Sequence, residues 1–172
     1  MIEKAAILPT GDEIRNGMVL DTDSSEVMRQ LVRLNPCVWI TRYPPLLDNS
    51  NDIAEEILSV ARENHLVVLI GGSGGGHRFS PTLGKDYTHT ALEMVLENAR
   101  SKQLFGKNGH LWCKLVCGKI GGALIINLPG PFVEAKAAME AFCKNSGADI
   151  ETINTAMAEA VLRQYPDKNG IL

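Results

Sequence analysis

The run HLVVLI, His65 to Ile70, constrains the fold more than any other stretch of this chain. From Leu66 onward every residue is apolar, without the alternation of a strand that is wet on one face. Such a strand needs cover on both sides, and helices brought by crossover connections are the usual cover. The run opens directly into GGSGGGHR, so a buried strand feeds a segment nearly bare of side chains.

Neighbouring segments extend the pattern. Lys4–Leu8 reads as a short buried strand ending at Pro9-Thr10-Gly11. Ser24 or Ser25 is expected to cap a helix carrying Val27, Met28, Leu31, Val32 and Leu34 at helical spacing, stopped by Asn35-Pro36. Cys37–Tyr43 is a second strand closed by Pro44-Pro45, and Asn51 or Asp52 is expected to cap a helix with Ile53, Ile57, Leu58 and Ala61 inward. Beyond the glycine segment, Tyr87–Arg100 has a helical pattern. Leu111–Gly118 and Ala123–Leu128 read as strands joined by a Lys-Ile-Gly-Gly turn. Pro131 suits the first position of a helix through Phe142, and Ile150–Gln164 is a last helix. Strand–helix alternation of this kind implies right-handed crossovers and a mainly parallel sheet with helices on both faces. The expected architecture is α/β, a single domain over residues 1–172 with a loose tail at 166–172.

Composition narrows the partners. A net charge of −3 gives no bulk attraction to nucleic acid or an acidic membrane, and no apolar run approaches a membrane span. The four cysteines, Cys37, Cys113, Cys117 and Cys143, form no CxxC pair. Cys113 and Cys117 would share one face of a strand, which suits buried thiols better than zinc ligands. Met1-Ile-Glu-Lys leads straight into a strand, so no signal peptide is expected and a cytoplasmic location is the default.

In parallel sheets ligands collect at the carboxyl ends of the strands. Here those ends carry PTGDEIRNGMVLDTDS (Pro9–Ser24), RYPPLLDNSND with Asp48, the glycine segment, and NLPGP at Asn127–Pro131. Glycines allow close approach of a ligand and direct amide N–H groups at an anion. The segment is neither a P-loop, since Gly76 precedes His77 and not Lys-Ser/Thr, nor a Rossmann fingerprint, since His77 stands where the third glycine belongs. A flexible loop without chemistry is the competing reading. A metal site of His77, His89 and Asp86 lacks a defining geometry, and a Ser80–His89–Asp86 triad lacks a nucleophile elbow.

Taken in order, TGDE, DTDS, GGSG and NLPGP resemble the molybdopterin-binding domain of molybdopterin adenylyltransferases, molybdenum insertases and competence-damage-inducible proteins. The resemblance covers roughly Ala5 to Phe142 and implies a three-layer α/β/α sandwich. It implies that Thr10, Gly11, Asp12 and Glu13, the loop Gly71, Gly72, Ser73, Gly74, Gly75, Gly76, and Pro129-Gly130 hold the pterin and its phosphate. It also implies two aspartates that hold Mg2+ and position ATP. Asp48 occupies the first position. The second normally follows the glycine pair by eight residues in a run like RDVTPEA, yet that count reaches Phe79. KDYTHTA, Lys85–Ala91, resembles the run, so Gly75–Thr82 is read as containing a seven-residue insertion and Asp86 as the second acid. The insertion brings Arg78, which suits bidentate contact with phosphate, against the reading of a solvated loop residue. For Asp12 and Glu13 the alternative is a helix N-terminus and turn; for Asp48, a plain helix cap.

The implied ligand is molybdopterin, with Mg2+ and ATP if the chain adenylylates it. A molybdenum insertase relative and a non-catalytic carrier of the finished cofactor are the alternatives. Implied partners are other cofactor-biosynthesis proteins or a molybdoenzyme, and the family assembles homo-oligomers, trimers or dimers.

Overall fold

All five residues of the strand Leu66–Ile70 are buried, and they alternate between two separate cores. The computed structural model describes residues 1–72, 87–96, 98–105, 109 and 111–165. In chain order the elements are β1 (Lys4–Pro9), α1 (Asp12–Arg15), α2 (Asp23–Leu34), β2 (Trp39–Arg42), α3 (Ser50–Ala61), β3 (Leu66–Ile70), α4 (Tyr87–Val95), β4 (Arg100–Phe105), β5 (Leu111–Ile120), β6 (Ala123–Leu128), α5 (Phe132–Asn145) and α6 (Ile150–Leu162).

The strands form one sheet in the order β2-β1-β3-β6-β5-β4. The first four are mutually parallel; β5 and β4 are added antiparallel. On one face Ala5, Ile7, Leu66, Val68 and Ile126 pack against α2, α5 and α6 through Leu31, Phe142 and Met157. On the other, Ala6, Leu8, Val67, Leu69 and Ile125 pack against α3 and α4 through Ile53, Ile57 and Leu92. This is a three-layer α/β/α sandwich, and the unbroken apolar runs are what two-sided burial requires. Cys113 and Cys117 lie on the same face, both buried, and burial pushes the Cys117 thiol up to about 12.

Several local expectations need correction. The helix expected over Tyr87–Arg100 stops at Val95, because Arg100–Phe105 pairs with β5 as an edge strand. Only Leu104 of RSKQLF is buried, so the strand carries no alternation to read. Its backbone is held by Asn154, whose Nδ2 donates to the Arg100 carbonyl at 2.8 Å, and Lys102 pairs with Glu151 at 2.6 Å. Charged side chains of this kind suit an edge. β5 runs on to Ile120, which leaves Gly121-Gly122 alone as the turn. Leu58, Val32 and Leu34 are exposed, since each lies off the single stripe its helix turns to the sheet. The cap of α3 is Asn49, whose side chain accepts from the amides of Asn51 and Asp52. α2 begins one residue ahead of Ser24, and Pro131 is the N-cap of α5, not its first residue. The tail expected at 166–172 lies outside the described residues.

Among the described residues no helix is long and apolar enough to cross a membrane.

Candidate functional site

The ends of β1, β3 and β6 are brought level by hydrogen bonds that continue past the strands. The Thr10 amide donates to the Ile70 carbonyl at 2.8 Å, and the Gly71 amide to the Leu128 carbonyl at 3.1 Å. The glycine segment therefore starts between the TGDE and LPG loops. Gly71 (φ +98°) and Gly72 (φ +55°) both take backbone angles that favour glycine. A Cβ on Gly71 would stand 2.7 Å from the Thr10 carbonyl oxygen; one on Gly72 would stand 2.3 Å from Thr88 Oγ1. Gly130 lies so close that its Cβ position is 3.8 Å from the Gly71 Cα. Pro129 beside it is buried. Thus three of the four motif loops meet at one place.

Thr88 was not singled out as a site residue, yet it is fully buried and its hydroxyl lies 2.8 Å from that of Thr10. Thr10 Oγ1 also donates to the Ile70 carbonyl at 3.1 Å. The pair joins the start of α4 to the ends of β1 and β3. Its cue in the sequence was the threonine of KDYTHTA, in register with the family run.

Asn127 sets the approach to the LPG loop. Its Oδ1 accepts from the Val116 amide at 2.6 Å and its Nδ2 donates to the Lys114 carbonyl at 2.9 Å. The β5–β6 ladder runs from Ile120↔Ala123 to Cys117↔Ile126, and the side chain of Asn127 serves the next groups of β5 in place of a backbone partner. The loop then delivers α5, whose N-cap Pro131 makes no side-chain cap bond. The Glu134 and Ala135 amides donate to the Pro131 carbonyl. The earlier first-turn amides have no acceptor within an α-helix, so this end is suited to an anion.

The TGDE and PPLLD loops are laced together. Gly11 donates to the Leu46 carbonyl at 3.0 Å, Leu46 to the Pro9 carbonyl at 2.9 Å, and Arg15 Nη1 to the Pro45 carbonyl at 2.9 Å. Asp12 Oδ1 accepts from the Asp48 amide at 2.9 Å. Asp48, half-buried, is not the cap of α3; Asn49 is. Glu13 is exposed in the short helix α1, with its carboxylate folded over Gly11. Ser73, Gly74, Gly75, Gly76, Arg78 and Asp86 lie outside the described residues, as does His77.

DTDS has a structural use. Asp21 accepts from the Ser24 amide at 2.9 Å and pairs with Arg42 Nη2 at 2.7 Å, which ties α2 to the end of β2. Burial works against the Asp21 carboxylate, but the bonds from Ser24 and Arg42 outweigh it and hold its pKa below the ordinary value. For Asp23, burial and then the neighbouring Asp21 charge raise the pKa to about 6. Below about pH 4 Asp23 is protonated whether the chain is folded or unfolded; above 6 only the folded chain holds a buried charge. Its contribution to stability is therefore lost as pH rises from 4 through 6. Asp23→Asn is expected to raise stability at pH 7.5 by about 2 kcal/mol and to change little at pH 4, as read by urea unfolding at the two pH values.

Among the described residues no three His, Cys, Asp or Glu side chains gather as a metal-binding group. A cleft of about 850 Å3 opens at the opposite end of the sheet, by His65, Arg100, Lys119 and Asp149. Asp149 is engaged there in capping α6.

Comparison with known proteins agrees with this fold. A family model described as a probable molybdopterin binding domain matches residues 6–147. Over 73 residues the chain is 33% identical to a CinA-like protein of Thermotoga neapolitana; the match takes in 42% of this chain but 17% of that protein. The solved structure of the protein CinA from Thermoplasma acidophilum, described as of unknown function, is similar with a TM-score of 0.64 at 17% identity, covering 83% of this chain and 96% of that one. The molybdopterin biosynthesis enzyme MoaB from Thermus thermophilus is similar with a TM-score of 0.58 at 20% identity, over 96% of this chain and 92% of that one. At such identities the two structures speak for the fold. The family match spans most of the chain and includes most of β1, all of β3 and β6, and their loops, and the chain belongs to the molybdopterin-binding domain family.

Proposed function

We propose that this chain binds molybdopterin at the carboxyl ends of β1, β3 and β6 and, with Mg2+ and ATP, transfers an adenylyl group to it. The observation that carries this reading is the approach of Gly130, whose Cβ position is 3.8 Å from the Gly71 Cα, just ahead of the N-terminus of α5. Backbone without side chains lets a pterin phosphate come close, and the open helix end supplies amide donors and partial positive charge. Adenylyl transfer joins a phosphate oxygen of molybdopterin to the α-phosphorus of ATP as the bond to the departing pyrophosphate breaks. Such chemistry depends on alignment and on neutralising charge.

The acids suit a hard cation. The resemblance assigns Asp48 as the metal-binding acid of this loop pair and Asp86 as the second, and Asp12 Oδ1 accepts from the Asp48 amide beside it. One or two carboxylates with retained waters is the set magnesium takes. Mg2+, when bound, supplies the positive charge that offsets the crowded phosphates. The chain itself holds the two substrates in line: the glycine and LPG loops at the pterin phosphate, the Asp48 turn at the nucleotide.

Asp48→Asn is expected to lower molybdopterin-dependent pyrophosphate release by about a hundredfold or more while pterin affinity stays within about threefold. Equal loss of binding would place Asp48 in pterin recognition. Binding by the unsubstituted chain without pyrophosphate release would overturn the adenylylation step and leave a cofactor carrier.

A further inference from the structure

We propose that Asp12 is a positioning residue: its carboxylate clamps the backbone of the Asp48 turn and so fixes where the Asp48 side chain is delivered. This rests on the reading of Asp48 as the metal-facing acid. The turn runs Pro44-Pro45-Leu46-Leu47-Asp48, and its two prolines have no N–H to give. Of the donors that remain, the Leu46 amide goes to the Pro9 carbonyl at 2.9 Å and the Asp48 amide to Asp12 Oδ1 at 2.9 Å. On the far side the Asn49 amide donates to the Leu47 carbonyl at 2.8 Å, and Asn49 caps α3. Asp48 thus sits between a helix cap and the Asp12 clamp. The two flanking constraints belong to the backbone and to Asn49; the one made by an acidic side chain at the site is Asp12.

A second contact supports the same role for the whole run. Arg15, one turn beyond Asp12 in α1, donates to the Pro45 carbonyl at 2.9 Å. The helix therefore grips the proline turn at two points, Pro45 through Arg15 and Asp48 through Asp12. The bond from the Asp48 amide to Asp12 Oδ1 needs an acceptor oxygen at this place, which a neutral amide side chain could also supply. The acceptor oxygen, not the charge, is what the geometry uses.

The distinction is testable because asparagine keeps an acceptor oxygen and drops the charge. In Asp12→Ala the Asp48 amide, followed by NMR-detected hydrogen exchange, is expected to exchange at least about tenfold faster than in the unsubstituted chain, and in Asp12→Asn within about threefold. Pyrophosphate release should follow: kcat falls about tenfold in Asp12→Ala with the pterin KM unchanged, and Asp12→Asn restores it. A loss in Asp12→Asn as deep as in Asp12→Ala would overturn the clamp and make Asp12 a charge-dependent ligand. Unchanged exchange at Asp48 in Asp12→Ala would overturn it as well. The exchange measurement needs no turnover, so absence of adenylyl transfer in the unsubstituted chain would sink the proposed reaction and leave the clamp to be judged on its own.

Discussion

Gly71→Ala is expected to weaken molybdopterin binding by at least about tenfold and to destabilise the fold by about 2–3 kcal/mol. Two effects combine. A φ of +98° is costly for a residue with a side chain, and the added Cβ would lie 2.7 Å from a backbone oxygen, that of Thr10. A backbone atom cannot swing aside as a side chain can, so the junction of β1 and β3 must open. Gly130→Ala is the contrast. Its Cβ has ordinary clearance at 3.8 Å from Gly71, so stability is expected to change by less than about 0.5 kcal/mol, while the methyl enters the space between the two loops and weakens pterin binding. Thermal unfolding and pterin titration of both variants separate the two costs.

Asn127→Leu should cost about 3 kcal/mol, because it strands two backbone groups at once. The Val116 amide and Lys114 carbonyl lose partners that they hold at 2.6 and 2.9 Å, and the bond to Val116 is buried, so its amide is left without water as a substitute. Leucine keeps the branched shape but is larger, so a part of the loss comes from overpacking. For a chain of this size the midpoint should fall by roughly 6–12 °C in a thermal melt. Pterin affinity is expected to fall with it, since Asn127 is the residue that leads β6 into the LPG loop. A melt shifted by less than about 2 °C would mean that β5 finds other partners.

Much of the layer structure was legible because it is local. Two-sided burial of β3 shows as an unbroken apolar run, and Ile53, Ile57 and Ala61 of α3 show their inward face as helical spacing, with Leu58 alone misplaced. β4 was not legible, since RSKQLF is an edge strand made by partners far along the chain: Cys117, Glu151 and Asn154. Its polarity looks like loop. The site divides in the same way. Gly71, Pro129 and Gly130 could be named from motifs, because the need for bare backbone is written in residue type. The Thr10–Thr88 and Asp12–Asp48 bonds could not, since nothing in either residue's surroundings announces a partner 78 or 36 positions away. Asp48 stands one residue ahead of the true cap, Asn49, and only the fold separates the two roles. DTDS was grouped with the other ligand loops by its acids, yet Asp21 and Asp23 serve the start of α2 and its tie to Arg42.

The most direct test of the central claim is a titration of the purified chain with molybdopterin, read by pterin fluorescence, beside the same titration of Gly71→Ala. Saturable binding at one site per chain, weakened at least about tenfold in Gly71→Ala, is the predicted result. No saturable binding, or binding that Gly71→Ala leaves untouched, would contradict the account and remove the strand ends of β1, β3 and β6 as the ligand site.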